Sequence, residues 1–275
     1  MAVMSRFLQF RPVLAQPDML APASLLTPAE LFGIRVDVGD LARAVDTVAK
    51  HAWQGRGGLV CVANVDMLTR ARRTPRLAQL MQGAVAVVSD GMPLVWGLRR
   101  RRRHRDAERV YGPGLVWALC ERAAADGRSV FFYGGMPEEL TLMRRQLLRR
   151  LPKLQIAGMA SPPMLPTEPP PDPAIVEQIN ASGASLCFVG LGCPKQEFWM
   201  DTHQQQLRPV SIGVGLAFAM IAGTKSQAPA WMREHGLEWL YRLGQEPGRL
   251  WKRYLIGNSL FIGYWLGDLL GLRRR

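Results

Sequence analysis

The sequence predicts an α/β fold with a mainly parallel sheet, helices on both faces and a C-terminal helical appendage. Short apolar runs alternate with helical patterns from about residue 31 to residue 223. Glycine follows several of these runs, as it does at tight turns between strands and helices. After Gly223 no further strand is apparent, and tryptophans alternate with arginines. Strands that alternate with helices form a mainly parallel sheet, whereas the last segment is predicted to be helical.

Seven short apolar segments are predicted to be strands: 33–36, 59–63, 84–88, 129–133, 154–157, 185–189 and 209–214. Six segments have helical patterns, and four of them begin with proline, which is favoured in the first turn of a helix. The predicted helices are 41–52, 65–81, 113–125, 137–149, 173–181 and 194–206.

The 275 residues are enough for one large domain with an appendage. Residues 1–30 contain scattered prolines and weak periodicity, which predicts a poorly ordered lead-in. Residues 31–223 are predicted to form the α/β core, and residues 224–275 a helical appendage that docks on a membrane.

The membrane prediction comes from the last part of the chain. Residues 254–272 are strongly apolar but are interrupted by glycine, asparagine and aspartate. A spanning helix needs about 20 predominantly apolar residues, so this segment is marginal. Arg249, Lys252 and Arg253 precede it and three arginines follow, a pattern that favours a helix lying on an anionic membrane surface. A terminal helix packed on the core is the alternative.

The net charge of +13 favours anionic partners: nucleic acid, lipid headgroups or a phosphorylated substrate. The densest basic run, residues 99–105, has no interleaved aromatic residues and no surrounding nucleic-acid motif. A solvated loop that contacts lipid headgroups or a diphosphate is therefore favoured over nucleic-acid binding. Arg109, just beyond this run, precedes a helix start and could reach a phosphate.

A glycine-rich turn lies between the predicted strand 185–189 and the following helix. Gly190 and Gly192 allow a tight turn, and Lys195, Gln196 and Glu197 then occupy the helix N-terminus. In an open α/β sheet, ligands bind at the carboxyl ends of strands, and free N–H groups there favour anions. The turn is a candidate anion site, with an ordinary strand-to-helix connection as the alternative.

Two polar residues follow other predicted strands. Asn64 comes after strand 59–63, where it could cap a helix or bind a ligand through its amide. Asp90 comes after strand 84–88 and is followed by Gly91. A carboxylate at this edge can act as a general base if its pKa is raised, or it can cap a helix that begins near Met92.

Further glycine turns are candidate phosphate contacts: Gly134 and Gly135 after one strand, and Gly213 and Gly215 after the last. None completes the G-x-G-x-x-G fingerprint, so a dinucleotide cofactor is not predicted. The sequence also contains no Walker A motif, metal-type His/Cys cluster or D-x-D pair. Neither a cofactor nor a metal is predicted, and arginine and lysine would balance the charge of any bound diphosphate.

Several short motifs occur in a fixed order along residues 33–254. They are Ala63-Asn64, Asp90-Gly91, Glu108-Arg109-Val110, Tyr133-Gly134-Gly135, Gly190-Leu191-Gly192, Pro194-Lys195-Gln196-Glu197, Gly213-Val214-Gly215, Ala228-Pro229 and Gly236-Leu237-Glu238-Trp239-Leu240-Tyr241-Arg242. With this set, most of the chain resembles the WecG/TagA/CpsF glycosyltransferases, bacterial enzymes that extend polyprenyl-diphosphate-linked sugars.

The resemblance implies an inverting, metal-independent transferase with a Rossmann-like core. Its donor would be a UDP-sugar and its acceptor an undecaprenyl-diphosphate-linked sugar, used for exopolysaccharide or cell-envelope glycan at the cytoplasmic face of the inner membrane. By the same resemblance, Asp90 is the general base, Asn64 positions sugar or nucleotide, and Gln196 lines their pocket. The appendage cations that would contact a diphosphate are Arg242, Arg249 and Lys252.

The chain departs from the usual family pattern near the predicted sugar pocket. Val62 replaces a threonine, Gln227 an arginine, and Leu216 and Ala219 stand where glycine and aspartate are common. These changes leave two candidates for the donor hexose, N-acetylmannosamine and glucose. They slightly disfavour N-acetylmannosamine.

Two other functions compete with the transferase. A nucleotide-dependent oxidoreductase is disfavoured by the missing fingerprint, and a nonenzymatic membrane or nucleic-acid binding module is supported by the charge alone. A site built partly from an appendage also leaves room for a homo-oligomer in which subunits complete each other's sites.

Overall fold

The computed structural model describes residues 25–271, and its centre is a six-stranded parallel sheet. A small N-terminal ribbon of two strands, β1 (Glu30–Leu31) and β2 (Ile34–Arg35), precedes the sheet. The strands of the sheet are β3 (Gly58–Ala63), β4 (Ala86–Ser89), β5 (Ser129–Gly134), β6 (Gln155–Ala160), β7 (Leu186–Gly190) and β8 (Val210–Gly213). Their order in the sheet is β4-β3-β8-β7-β5-β6, and every neighbouring pair is parallel. All their carboxyl ends therefore lie at one edge, as predicted.

Helices cover both faces of the sheet because alternate strand residues point in opposite directions. In β3, Cys61 belongs to one buried cluster and Val62 to the other. The helices are α1 (Leu41–Ala52), α2 (Val65–Ala71), α3 (Pro75–Gly83), α4 (Met92–Arg99), α5 (Gly112–Ala125), α6 (Pro137–Arg150), α7 (Pro173–Ala181), α8 (Lys195–His203), α9 (Ala217–Ala222), α10 (Ala230–Glu234), α11 (Glu238–Gln245) and α12 (Pro247–Leu269). The predicted α/β class is confirmed.

The predicted helix 65–81 is two helices. Thr74 has extended backbone angles (φ −126°, ψ 96°), and α3 begins at the next residue, Pro75. Proline has no N–H to continue a preceding helix and disfavours the helical conformation in the residue before it. The helix is therefore interrupted between Ala71 and Pro75. The apolar periodicity of the sequence continues across this interruption.

The predicted strand 33–36 belongs to the separate antiparallel ribbon of β1 (Glu30–Leu31) and β2 (Ile34–Arg35). The lead-in prediction for residues 1–24 lies outside the described residues. In residues 25–30, Thr27 and Val38 exchange two backbone hydrogen bonds, so the ordered core begins before the boundary placed at residue 30.

The final helices pack back onto the core. The α12 residue Gly257 lies against Thr69 of α2. The guanidinium of Arg253 forms an ion pair with Asp66 (Nε to Oδ2, 3.0 Å). Farther along α12, Phe261 is buried with its ring centroid 5.4 Å from that of Phe32 in the N-terminal ribbon. These contacts place α11 and α12 over the carboxyl edge of the sheet.

Candidate active site

The parallel sheet brings the predicted site residues to one edge. Asn64 follows β3, Asp90 follows β4, and Gly135 follows β5. The loops of residues 190–194 and 213–216 follow β7 and β8, which lie between β3 and β5. Residues distant in the sequence are thereby gathered under α11 and α12.

Two cavities open at this edge. The first, which we call the polar cavity, has a volume of about 280 Å³ and is lined by Gly135, Gly190, Gly192, Gly213 and Gly215 together with side chains of α11 and α12. The second, the apolar cavity, has a volume of about 510 Å³. Its walls include Met92, Trp96, Trp239, Phe261, Ile262, Trp265 and Leu266. Such volumes are near those of small-molecule sites, roughly 300–1,000 Å³.

The cavities meet at a small set of residues that line both: Asn64, Asp90, Arg242, Arg253 and Tyr254. This junction contains the carboxylate and the amide that the sequence singled out. It also contains two cations contributed by the C-terminal helices of the same chain.

Gln196 fixes the glycine loops that form the floor of the polar cavity. Its Oε1 accepts hydrogen bonds from the backbone N–H groups of Gly192 (3.1 Å) and Gly215 (3.0 Å). Its Nε2 donates to Oε1 of Glu197 (2.8 Å). Gln196 therefore lines the polar cavity, but its polar atoms are already bonded to the protein and set the loop geometry.

Gly213 and Gly134 are required by close approach. A Cβ on Gly213 would lie 2.9 Å from Nε2 of Gln196, and a Cβ on Gly134 would lie 2.6 Å from the carbonyl oxygen of Gly190. Gly134 thus allows the ends of β5 and β7 to meet, and it is Gly135, the next residue, that lines the polar cavity.

Lys195 and Glu197 do not line either cavity. Successive helical residues point about 100° apart, so of the three only Gln196 faces the polar cavity. The Nζ of Lys195 lies 3.8 Å from Sδ of Met164. Glu197 is fully buried beneath Gln196, and burial raises the pKa of its carboxyl to about 7. Its Oε2 has no hydrogen-bond partner in the described part of the chain.

Asn64 has both of the roles that its position allowed. Its Oδ1 accepts a hydrogen bond from the N–H of Met67 (3.1 Å) and so caps α2. The side chain also lines both cavities, where its amide nitrogen can donate to a ligand.

Asp90 does not cap α4, because Gly91 occupies the N-cap position and no side chain caps that helix. Its carboxylate, 18% exposed, instead accepts a hydrogen bond from Nη2 of Arg109 (3.0 Å). Burial raises the pKa of Asp90; Arg109 and Arg242 lower it, and the negative charge of Glu238 raises it. The balance is an upward shift, the direction that a general base at neutral pH requires.

The predicted cations of the appendage separate into two groups. Arg242 and Arg249 line the polar cavity, whereas Lys252 is exposed and its ammonium lies 5.4 Å from the ring centroid of Trp251. Arg253 occupies the place that the sequence analysis gave to Lys252. Because Arg249 and Arg253 are four residues apart, they share one face of α12, and this spacing could have identified Arg253.

Sequence reasoning also missed Glu238, Tyr254 and the apolar cavity. Three of the four departures from the family pattern, Val62, Leu216 and Ala219, line the polar cavity. Residues 25–271 contain no cluster of three or more His, Cys, Asp or Glu side chains suited to a metal ion. Among the same residues, no helix combines the length and apolar character needed to cross a membrane.

A parallel sheet whose carboxyl edge carries glycine loops, a half-buried carboxylate and several arginines is typical of the active site of an α/β enzyme. Residues 29–275 match the glycosyl transferase WecG/TagA/CpsF family, and the chain belongs to this family. The protein is therefore a glycosyltransferase that uses a sugar donor and an acceptor. Membership of this family excludes the two competing functions, the oxidoreductase and the nonenzymatic binding module.

Proposed function

We propose that the protein transfers a hexose from a UDP-sugar to an undecaprenyl-diphosphate-linked sugar in exopolysaccharide or cell-envelope glycan synthesis. The observation that carries this proposal is the junction of a polar and an apolar cavity at Asp90. A water-soluble donor suits the first cavity and a lipid-linked acceptor suits the second. The hydroxyl to be glycosylated would then lie between them.

The polar cavity suits a nucleotide diphosphate. The loops 190–192 and 213–215 each contain two glycines, which allow a ligand to approach main-chain N–H groups closely. Arg242, Arg249 and Arg253 line the opposite side and can balance the charge of a diphosphate leaving group. Glu246 pairs with Arg249 and also accepts a hydrogen bond from Lys225 (2.6 Å), which orders the cations at this side of the cavity.

Asp90 acts as the general base in the proposed reaction. It takes the proton from the acceptor hydroxyl while that oxygen attacks the anomeric carbon of the donor. The bond from the anomeric carbon to the diphosphate oxygen breaks, and its electron pair leaves with UDP. One displacement inverts the anomeric configuration, and arginine stabilises the charge that develops on the leaving group.

The acceptor's prenyl chain is assigned to the apolar cavity, whose aromatic and aliphatic walls bury hydrocarbon. α12 carries an exposed stripe of Trp251, Leu255, Ile262, Leu266 and Leu269, separated by intervals of 3, 4 and 7 residues, and this stripe includes two residues that also border the apolar cavity, Ile262 and Leu266. We assign this stripe to the surface of the inner membrane at its cytoplasmic face, where a lipid acceptor can enter the cavity. The apolar side chains Val62, Leu216 and Ala219 leave the donor hexose between N-acetylmannosamine and glucose.

Radiolabelled UDP-N-acetylmannosamine and UDP-glucose, each incubated with a polyprenyl-diphosphate sugar, test the proposal directly. One donor is expected to label the lipid product. Asp90→Asn should lower kcat by about 100- to 10,000-fold, because general base catalysis contributes about that much.

Asp106→Asn removes an exposed carboxylate that pairs with Arg43, and it serves as the matched control. Its rate should stay within twofold of the wild type. Failure to label product from either donor, or an Asp90→Asn variant as active as the wild type, would refute the reaction as proposed.

A further inference from the structure

The geometry points to Glu238 of α11 as a positioning residue for Asp90: it holds Arg109 so that this arginine occupies only one oxygen of the catalytic carboxylate. The inference rests on the proposed function, in which Asp90 is the base. It assigns to the C-terminal helices a part in the chemistry beyond lining the cavities.

One nitrogen of Arg109 is shared between two carboxylates. Its Nη2 donates to Oδ1 of Asp90 (3.0 Å) and to Oε2 of Glu238 (2.5 Å). The guanidinium also lies 4.6 Å from the ring centroid of Tyr111, and its side chain is only 15% exposed. The planar group is thus held between Asp90, Glu238 and an aromatic ring.

Glu238 is itself fixed. Its Oε1 accepts a hydrogen bond from Nη2 of Arg242, one helical turn later (2.7 Å). The resulting row of charges runs Asp90, Arg109, Glu238, Arg242 and alternates in sign. The row joins the end of β4 to α11, so the position of α11 determines how Arg109 meets Asp90.

The sharing matters because arginine and carboxylate prefer a two-point contact. A guanidinium that faces a single carboxylate frequently forms two parallel N–H···O bonds, which cover both oxygens. Glu238 takes one N–H of Nη2, and the hydrogen bond from Arg109 to Asp90 goes to Oδ1, so Oδ2 lies outside this contact. An oxygen left in this state can accept the proton of an acceptor hydroxyl.

Charge acts in the same direction as geometry. The negative charge of Glu238 raises the pKa of Asp90, so its removal should lower that pKa. The charged and titratable side chains that face this junction come from the segment before α5 and from α2, α10, α11 and α12. They are Arg109, Tyr111, Asp66, Arg233, Glu238, Arg242, Arg253 and Tyr254.

The test is the pH dependence of kcat/KM for the full chain carrying Glu238→Gln. We expect kcat to fall about tenfold at neutral pH, with KM for the UDP-sugar within twofold of the wild type. The midpoint of the acid limb should move to lower pH. Glu234→Gln, an exposed position four residues earlier, is the matched control and should change neither the rate nor the midpoint.

Glu238→Asp keeps the charge and should keep the wild-type midpoint even if its rate is lower. An unshifted midpoint in Glu238→Gln, or the same shift in Glu238→Asp, would overturn the inference. Asp90→Asn separates this failure from failure of the proposed function. If Asp90→Asn is inactive and Glu238→Gln is unshifted, the base stands and only the role of Glu238 is lost.

Discussion

The polar cavity and the apolar cavity meet at Asp90 but are assembled in different ways. The polar cavity is built largely from loops that directly follow strands, and Gln196 bonds two of these loops to each other. The apolar cavity is built mainly from the sides of α4, α11 and α12. The sheet determines the shape of the polar cavity, whereas the packing of helices above the sheet determines the shape of the apolar cavity.

This difference assigns different tasks to the two regions. Loops fixed by the sheet can present main-chain N–H groups at constant positions, which suits recognition of a diphosphate. A cavity between packed helices can adjust to a flexible hydrocarbon chain and needs only apolar surface. The two regions should therefore respond differently to substitution.

The largest expected effect is on the free energy of unfolding, through Glu197 beneath the polar cavity. Burial raises the pKa of Glu197 from 4.5 to about 7. Between these pH values the unfolded chain loses this proton while the folded chain keeps it, so stability falls as pH rises from 4.5 to 7. Glu197→Gln cannot ionise and should avoid this loss, which amounts to about 3 kcal/mol.

Urea unfolding of the wild type and Glu197→Gln at pH 5 and pH 8 measures this difference. Glu177→Gln, an exposed position on α7, should follow the wild type at both pH values. Parallel pH dependence of the wild type and Glu197→Gln would show that Glu197 is not protonated in the folded protein.

The next effect concerns the cations of the polar cavity. Arg253→Met removes a side chain that lines both cavities and pairs with Asp66. We expect kcat/KM for the UDP-sugar to fall by about 10- to 100-fold, since a hydrogen bond to a charged group contributes about 1.5–3 kcal/mol. Steady-state kinetics with varied donor provides the measurement.

Lys252→Met is the control for this variant because it removes the same charge from the adjacent, exposed position. Its kcat/KM should remain within twofold of the wild type. Equal losses in the two variants would mean that general positive charge, and not the cavity position, accounts for donor binding.

The smallest effect distinguishes the part of the exposed α12 stripe that borders the apolar cavity from the part that lies outside it. Leu266 lines the cavity, whereas Leu255 lies on the same stripe outside it. Leu266→Asn should raise KM for a long-chain lipid acceptor about tenfold, since burying a leucine contributes about 1.5–3 kcal/mol. Leu255→Asn should leave that KM unchanged in detergent solution and should reduce sedimentation with anionic vesicles.

Leu142→Asn, an exposed position on α6, controls for loss of surface leucine and should leave both measurements unchanged. If Leu255→Asn raised the KM for the lipid acceptor as much as Leu266→Asn, the acceptor would contact both positions and the distinction between them would be wrong. Full vesicle binding by Leu255→Asn would argue against this stripe as the docking surface.

The strands and turns around the polar cavity could be predicted from the sequence because local rules govern them. Each predicted strand of the main sheet lies close to its observed position, and parallel topology then forces Asn64 and Asp90 to the same edge. Glycines 135, 190, 192, 213 and 215 all line the polar cavity. A strand, its turn and the next helix occupy neighbouring residues, so their pattern can be read directly.

The apolar region could not be predicted in the same way. Its walls come from residues 92–96 and from residues 239–266, whose contact depends on how α12 packs against α2 and the N-terminal ribbon. Lys252 and Arg253 are adjacent cations that the sequence alone does not distinguish. Because successive residues of α12 point in different directions, only Arg253 lines the cavities. The ion pair between Arg109 and Glu238 joins residues 129 positions apart, and no local pattern indicates it.

The contact between Phe32 and Phe261 links almost the first and almost the last residues that the structure describes. During synthesis, N-terminal parts of a chain fold before C-terminal ones. The six strands and their loops are complete before α11 and α12 leave the ribosome, so a nascent chain can form its sheet without Glu238 beside Arg109. The arrangement of charges around Asp90 is therefore complete only after α11 and α12 have been synthesised and have packed over the sheet.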